Sequence, residues 1–212
     1  MNKLPETKKE ALKNLIAKHE GGDYNTVIGG GKMPLTSMPL RDVLELQHEL
    51  VDSGQESGAV GRYQIINSTM KSIINRNPKT FPLDRPFDEQ TQEEMADILL
   101  DRRGYSDFAQ GKITQEEMAL ELSKEWASLP NPETGKSYYD GDGINASHHK
   151  VEDVYKVLNI VEASSGKLRP ELDPMAGAGD PRPSQIQGDS GGTPMRQNAL
   201  RGSDINSSRT QR

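Results

Sequence analysis

The stretch Leu12-Lys13-Asn14-Leu15-Ile16-Ala17-Lys18-His19-Glu20-Gly21-Gly22 decides how this chain is read. Leu12, Leu15, Ile16 and His19 recur at the i, i+3, i+4, i+7 spacing of an amphipathic helix, and Gly21-Gly22 ends it. The last turn of that helix therefore carries a carboxylic acid, Glu20, at the negative end of the helix dipole, a poor place for an anion. Partial burial and the dipole both act against ionisation and raise the proton affinity. A carboxyl that stays protonated near neutral pH is what general-acid cleavage of a glycosidic bond requires. Alone, the feature also has a bland reading as a solvated Glu in a frayed turn, because charged side chains mostly sit on solvated faces.

Outward from the glycines, Tyr24-Asn25-Thr26-Val27-Ile28-Gly29-Gly30-Gly31 has the β-branched residues and glycines of a short hairpin. Ser37 and Pro39 then start a second helix with Leu40, Val43, Leu44, Gln47 and Val51 on one face. A shorter helix is predicted from about Ser68 to Asn75. Asp88 precedes a third long helix carrying Met95, Ile98 and Leu99, closed by Gly104. Thr114 and Glu117 make a capping box for a fourth. Its buried face is predicted to run through Met118, Leu122, Trp126 and Leu129 to a stop at Pro130, which places the only Trp in the core. Val151, Val154, Tyr155, Leu158 and Val161 supply a last helix. The fold class expected is mainly α (α+β), a helical lobe with a small β-hairpin lobe near the end of the first helix. The sequence contains no internal repeat.

Composition sets the domain limits. The AVILMFWYC fraction is 32% and only 5% of the 212 residues are aromatic, so part of the chain is expected to lack a core. Residues 164–212 hold seven Ser, seven Gly and five Pro and no aromatic residue. That stretch is predicted to be a disordered tail or linker, since it cannot bury enough apolar surface to offset its ordering entropy. Residues 1–163 form the predicted folded domain. Apolar runs are far too short for membrane insertion, and the first ten residues lack the apolar segment of a secretory signal. With no cysteine, disulfides, thiol catalysis and thiolate zinc sites are excluded. A net charge of −6 argues against a nucleic-acid partner.

Other segments could carry chemistry. In Glu56-Ser57-Gly58-Ala59-Val60-Gly61-Arg62-Tyr63-Gln64, small residues lead into Arg62-Tyr63-Gln64 in a manner suited to a groove wall. Tyr63 offers a flat face for sugar stacking, and Gln64 offers a donor and an acceptor for hydroxyls or an N-acetyl group; the bland reading is a tight turn. Tyr138 and Tyr139, in the Gly-rich loop after Trp126, are further sugar platforms. Asp140-Gly141-Asp142-Gly143-Ile144-Asn145 looks superficially like a calcium loop. With Gly143 at the sixth position, however, His149 falls where the bidentate acid belongs. No metal site is therefore assigned, and His148-His149 receives no role.

Together these residues resemble the phage lambda endolysin-like lytic transglycosylases (lambda-type muramidases) over about Leu12 to Leu158. The pieces come in that family's order: Glu20-Gly21, Tyr24 to Gly30, Gly61-Arg62-Tyr63-Gln64, and Trp126-Ala127-Ser128-Leu129-Pro130. The Gly135-Lys136-Ser137-Tyr138-Tyr139 loop looks like that of longer, virion-associated or prophage members. Histidines of the compact members' groove have no counterpart at residues 36–41, and none is carried over. The resemblance implies a lysozyme-like fold with a cleft between lobes, and cleavage of the β-1,4 bond between N-acetylmuramic acid and N-acetylglucosamine. It implies Glu20 as the catalytic acid, with Arg62, Tyr63, Gln64, Ser128, Tyr138 and Tyr139 binding substrate, and no cofactor. The implied partner is the peptidoglycan glycan strand, joined by phage virion proteins if residues 164–212 dock.

Three alternatives stay open. A two-carboxyl hydrolase places its acids about 5–5.5 Å or about 6.5–9.5 Å apart, and Asp23 or Glu56 could supply the second. Glu56-Ser57 is also similar to the Glu-Ser of Slt-type transglycosylases, although Asp52-Ser53-Gly54 breaks the helix before it. A non-catalytic peptidoglycan-binding or structural virion module is the alternative from another class. Delivery is likewise open between a virion protein acting in the host periplasm and a cytoplasmic endolysin released through a holin.

Overall fold

The computed structural model describes residues 8–20, 22–140 and 150–163. Seven α-helices account for most of these: α1 Lys8–His19, α2 Leu40–Asp52, α3 Asn67–Arg76, α4 Glu89–Arg102, α5 Tyr105–Ala109, α6 Gln115–Glu125 and α7 Val151–Ala163. The architecture is mainly helical. α7 ends at Ala163, and residues 164–212, expected from sequence to be a tail or linker, lie outside the described residues.

Local chemistry sets several helix ends. The Asp88 carboxylate accepts from the Thr91 N–H at 2.8 Å and opens α4. At α6 the Thr114 hydroxyl accepts from Glu117 N–H while the Glu117 carboxylate accepts from Thr114 N–H, so the capping box is complete. Gly104, in the left-handed region at φ 86°, separates α4 from α5. The five-residue α5 was not predicted; it buries Phe108 alone and is too short to leave a 3.6-residue pattern.

α7 runs against α1, α5 and α6. Leu12, Ile16, Val154, Leu158, Met118 and Leu122 fill the core between them. Two predicted details differ. α6 stops at Glu125, and Trp126 already has extended backbone, although Trp126 and Leu129 are both buried in the core as predicted. Val51, expected on the buried face of α2, is exposed.

The predicted β-hairpin lobe is not formed as such. Among the described residues pairing is limited to isolated antiparallel bridges, including Thr26 with Lys32, Val27 with Val60, and Val60 with Ile65. Glycine turns explain this. Gly29 and Gly30 take positive φ within a 3-10 turn, and the chain reverses before a ladder can extend.

Two buried glutamines hold this irregular region to the helices. Gln47 of α2 donates to the carbonyls of Gly58 and Ile65 at 2.9 and 2.7 Å. Gln92 of α4 donates to the carbonyls of Tyr24 and Phe87 and accepts from Arg62 N–H at 2.9 Å. Backbone groups that a sheet would have paired are satisfied by side chains instead.

Candidate active site

The helix end that carries Glu20 is closed by its own backbone. Glu20 N–H donates to Ile16 O at 2.9 Å and Gly22 N–H to Ala17 O at 3.0 Å, the wide final bond with which helices commonly end at glycine. Glu20 thus stands immediately after the last turn of α1, next to the buried Ile16 and Ala17.

Across from it lies the loop that follows α6. Trp126 and Leu129 anchor that loop in the core, and Leu129 N–H donates to Trp126 O. Between them Ser128 is held facing α1, and its hydroxyl donates to Glu20 Oε1 at 2.5 Å. Burial pushes the Glu20 carboxyl up from 4.5 to about 7. The Ser128 hydroxyl and main-chain N–H act in the opposite sense, by hydrogen-bonding the ionised form.

The third component is the turn at residues 61–64. Gly22 is pressed against it so closely that a Cβ there would lie 2.1 Å from the Arg62 carbonyl oxygen. Gly61 has φ 78° and donates to Thr26 O at 2.7 Å. Gln64 is the one described non-glycine residue at positive φ, 46°. Its side-chain amide folds back to donate to Gly61 O at 2.9 Å and Thr26 O at 3.3 Å, which compensates a backbone conformation costly for a residue with a Cβ.

The sugar platform predicted at Tyr63 is corrected here: only 1% of the residue is exposed, so its ring offers no face to a ligand. Its hydroxyl donates to Glu93 Oε1 at 2.6 Å. Tyr24 donates to the same oxygen at 2.9 Å, and Lys13 of α1 pairs with Glu93 Oε2 at 2.6 Å. These donors, led by the Lys13 and Tyr63 hydrogen bonds, outweigh burial and hold the Glu93 carboxylate below its ordinary range. Burial and the adjacent anion push Tyr24 up to about 12, and raise Tyr63 as well. Arg62 is committed to the same cluster. Its guanidinium lies 5.1 Å from the Tyr24 ring and donates to Asn14 Oδ1 at 2.6 Å. Arg62 and Tyr63 therefore brace the turn from within.

Of the paired tyrosines, only Tyr138 presents an open ring, with 39% exposure. Tyr139 meets it edge-on with centroids 5.3 Å apart, and donates through its hydroxyl to Lys124 O at 2.7 Å. Asp23 is exposed and pairs with Lys32 at 2.5 Å, which lowers its proton affinity. Glu56 is exposed in the loop after α2. Residues 141–149, with most of the calcium-like segment and His148-His149, lie outside the described residues. Among the described residues no group of three or more His, Asp or Glu could hold a metal ion, and no helix is long and apolar enough to cross a membrane.

Glu93 and Gln92 were not singled out from sequence. Gln92 did leave a readable sign: it lies three residues before Met95 and seven before Leu99, a polar residue on the apolar stripe of α4.

Fold and site together define a mainly helical protein in which a desolvated carboxylic acid stands where a helix end, a strained turn and an anchored loop converge. A family model described as Endolysin matches residues 10–156. The chain belongs to that family, and so to the phage cell-wall-degrading enzymes. Neither a curated protein nor a solved structure matches it significantly.

Proposed function

We propose that this protein is a peptidoglycan lytic transglycosylase of the lambda endolysin type, with Glu20 as its single catalytic acid. The observation that carries the reading is the buried Glu20 carboxyl facing the Ser128 hydroxyl, which burial pushes up to about 7, so that about half of it keeps its proton near neutral pH.

In the first step Glu20 gives its proton to the glycosidic oxygen between N-acetylmuramic acid and N-acetylglucosamine. The bond from that oxygen to the anomeric carbon breaks, and both bonding electrons leave with the oxygen. The Glu20 carboxylate then takes the proton of the muramic acid 6-hydroxyl, whose oxygen bonds to the anomeric carbon. The product is a 1,6-anhydro sugar, and Glu20 ends protonated as it began. An intramolecular nucleophile has a large effective concentration, worth several kcal/mol of barrier, so no second carboxylate is required. Asp23, the nearest candidate in sequence for a second carboxylate, is exposed and paired with Lys32.

The lysozyme-like architecture would place the glycan strand across the face formed by Glu20, the turn at residues 61–64 and the loop from Ser128 to Tyr139. Tyr138 supplies the stacking ring, and the Oε1 atom of Gln64 supplies an acceptor for an N–H or hydroxyl of the sugar. Residues 1–163 constitute the catalytic domain. Docking of residues 164–212 onto other virion proteins would bring the enzyme to the wall with the particle, so that cleavage in the periplasm accompanies genome entry.

Release of soluble muropeptides from purified sacculi tests the assignment of the acid. Glu20→Gln is expected to abolish release while remaining folded, and Glu56→Gln to retain most of it. The reverse order of the two variants refutes the assignment.

A further inference from the structure

Two properties of Glu20 govern its chemistry: which of its oxygens carries the proton, and how far its proton affinity rises. Both lead to one contact, the hydroxyl of Ser128 at 2.5 Å from Oε1, made across 108 residues of sequence.

We propose that Ser128, expected from sequence to bind substrate, is instead a positioning residue for Glu20, its hydroxyl occupying Oε1 so that Oε2 is the oxygen that gives and takes the proton. The proposal rests on Glu20 being the catalytic acid. Its physical basis is the inventory of a neutral carboxyl, which has one O–H and one carbonyl-like oxygen. An oxygen already accepting a short hydrogen bond is the poorer site for the proton, so the O–H is directed to Oε2. Once the leaving oxygen has been protonated, the same hydroxyl donates to a full carboxylate. That charge-assisted bond is stronger than the first, so Ser128 favours the ionised state that must next receive the 6-hydroxyl proton.

The hydroxyl is offered from a fixed backbone. Trp126 and Leu129 are buried on either side of it, and Pro130 bridges to Ser137. The orientation therefore costs little at the moment of reaction.

The described charged groups next to this helix end have other partners. Lys18 and His19 of α1 act on Asp153 of α7. Asp23 is bound to Lys32, and Arg62 to Asn14 and the Glu93 cluster. Among the described residues, Ser128 is what holds the Glu20 proton affinity down against burial, through its hydroxyl and main-chain N–H.

The test uses the full chain, with 13C-labelled glutamate followed by NMR titration of the Glu20 carboxyl, alongside the pH dependence of kcat/KM on sacculi. In Ser128→Ala the hydroxyl is lost and the ionised form is less favoured. Proton affinity should rise by roughly tenfold, the scale of one hydrogen bond to a charged group. The alkaline limb of the rate profile should move to higher pH with it, and kcat on the acid plateau should fall while KM holds. Ser128→Thr, which keeps the hydroxyl, should restore the titration midpoint and kcat, and Ser128→Cys should lie between; these two carry the test should the alanine variant not fold.

An unchanged Glu20 midpoint in a folded Ser128→Ala, with an inactive Glu20→Gln, overturns the positioning role alone. A Glu20→Gln variant that keeps turnover overturns the assignment of the acid and this proposal with it.

Discussion

Replacing Glu20 by glutamine should stabilise the protein, and only in one range of pH. Below the ordinary glutamic value of 4.5, Glu20 is protonated in both the folded and unfolded chain, so its ionisation contributes nothing to the balance. Between 4.5 and about 7 the unfolded chain ionises while the folded one does not, and stability falls as pH rises. Above the folded value both states are charged, and the native state bears the full cost of a desolvated carboxylate. The separation of 4.5 from about 7 corresponds to about 3 kcal/mol at 1.36 kcal/mol per tenfold change. Glutamine has the same shape, keeps an oxygen to accept from Ser128, and does not ionise. Urea denaturation of both proteins should therefore give curves that nearly coincide at about pH 4 and separate by about 3 kcal/mol at about pH 8.5, with the variant the more stable. Because the cost arises from burial and not from neighbouring charges, added salt should leave the gap in place. A gap of equal size at both pH values, or a variant less stable at the higher one, refutes the reasoning.

Other perturbations have different signatures. Gly22→Ala puts a methyl group 2.1 Å from the Arg62 carbonyl. Backbone cannot yield as a flexible side chain would, so a loss of about 2 kcal/mol or more in thermal unfolding is expected, with turnover on sacculi falling as the turn at residues 61–64 is pushed off the helix end. Glu93→Gln removes the anion that gathers Lys13, Tyr24 and Tyr63, and should cost about 1–3 kcal/mol near neutral pH. The Glu93 carboxyl lies below its ordinary 4.5, so its contribution is complete above that value and is lost as pH falls through the folded one. Denaturation of Glu93→Gln against wild type should thus show a deficit that disappears in acid, opposite in sense to Glu20. Tyr138→Ala removes an exposed ring, and should raise KM on sacculi several-fold while shifting stability by less than about 0.5 kcal/mol.

These contrasts also mark where the sequence could be read and where it could not. Helix positions were legible because their determinants are local. Asp88 caps three residues ahead, Thr114 and Glu117 answer each other, and Leu12 and Ile16 share a face. The placement of Glu20 at a helix end was legible for the same reason, since the helix terminus and the acid beside it are written within ten residues. The β lobe was not, because Thr26 and Val27 have strand character while Gly29 and Gly30 turn the chain before a ladder forms. Tyr63 shows a different limit. A tyrosine in a Gly-rich segment suits an open sugar platform or a buried strut equally well. The choice was made by a carboxylate 30 residues away, Glu93, which no local pattern links to it. Ser128 reaches Glu20 by the same kind of long-range pairing. The position of its hydroxyl follows from the burial of Trp126 and Leu129 on either side, the part of that loop that periodicity did predict.

The most direct measurement of the central claim is the mass of the muropeptides that the purified protein releases from sacculi, with Glu20→Gln as control. Cleavage by one acid with the 6-hydroxyl as nucleophile predicts muramic acid ends one water lighter than reducing ends, and no release by the variant. Reducing ends from the wild type, or anhydro ends from the variant, would contradict it.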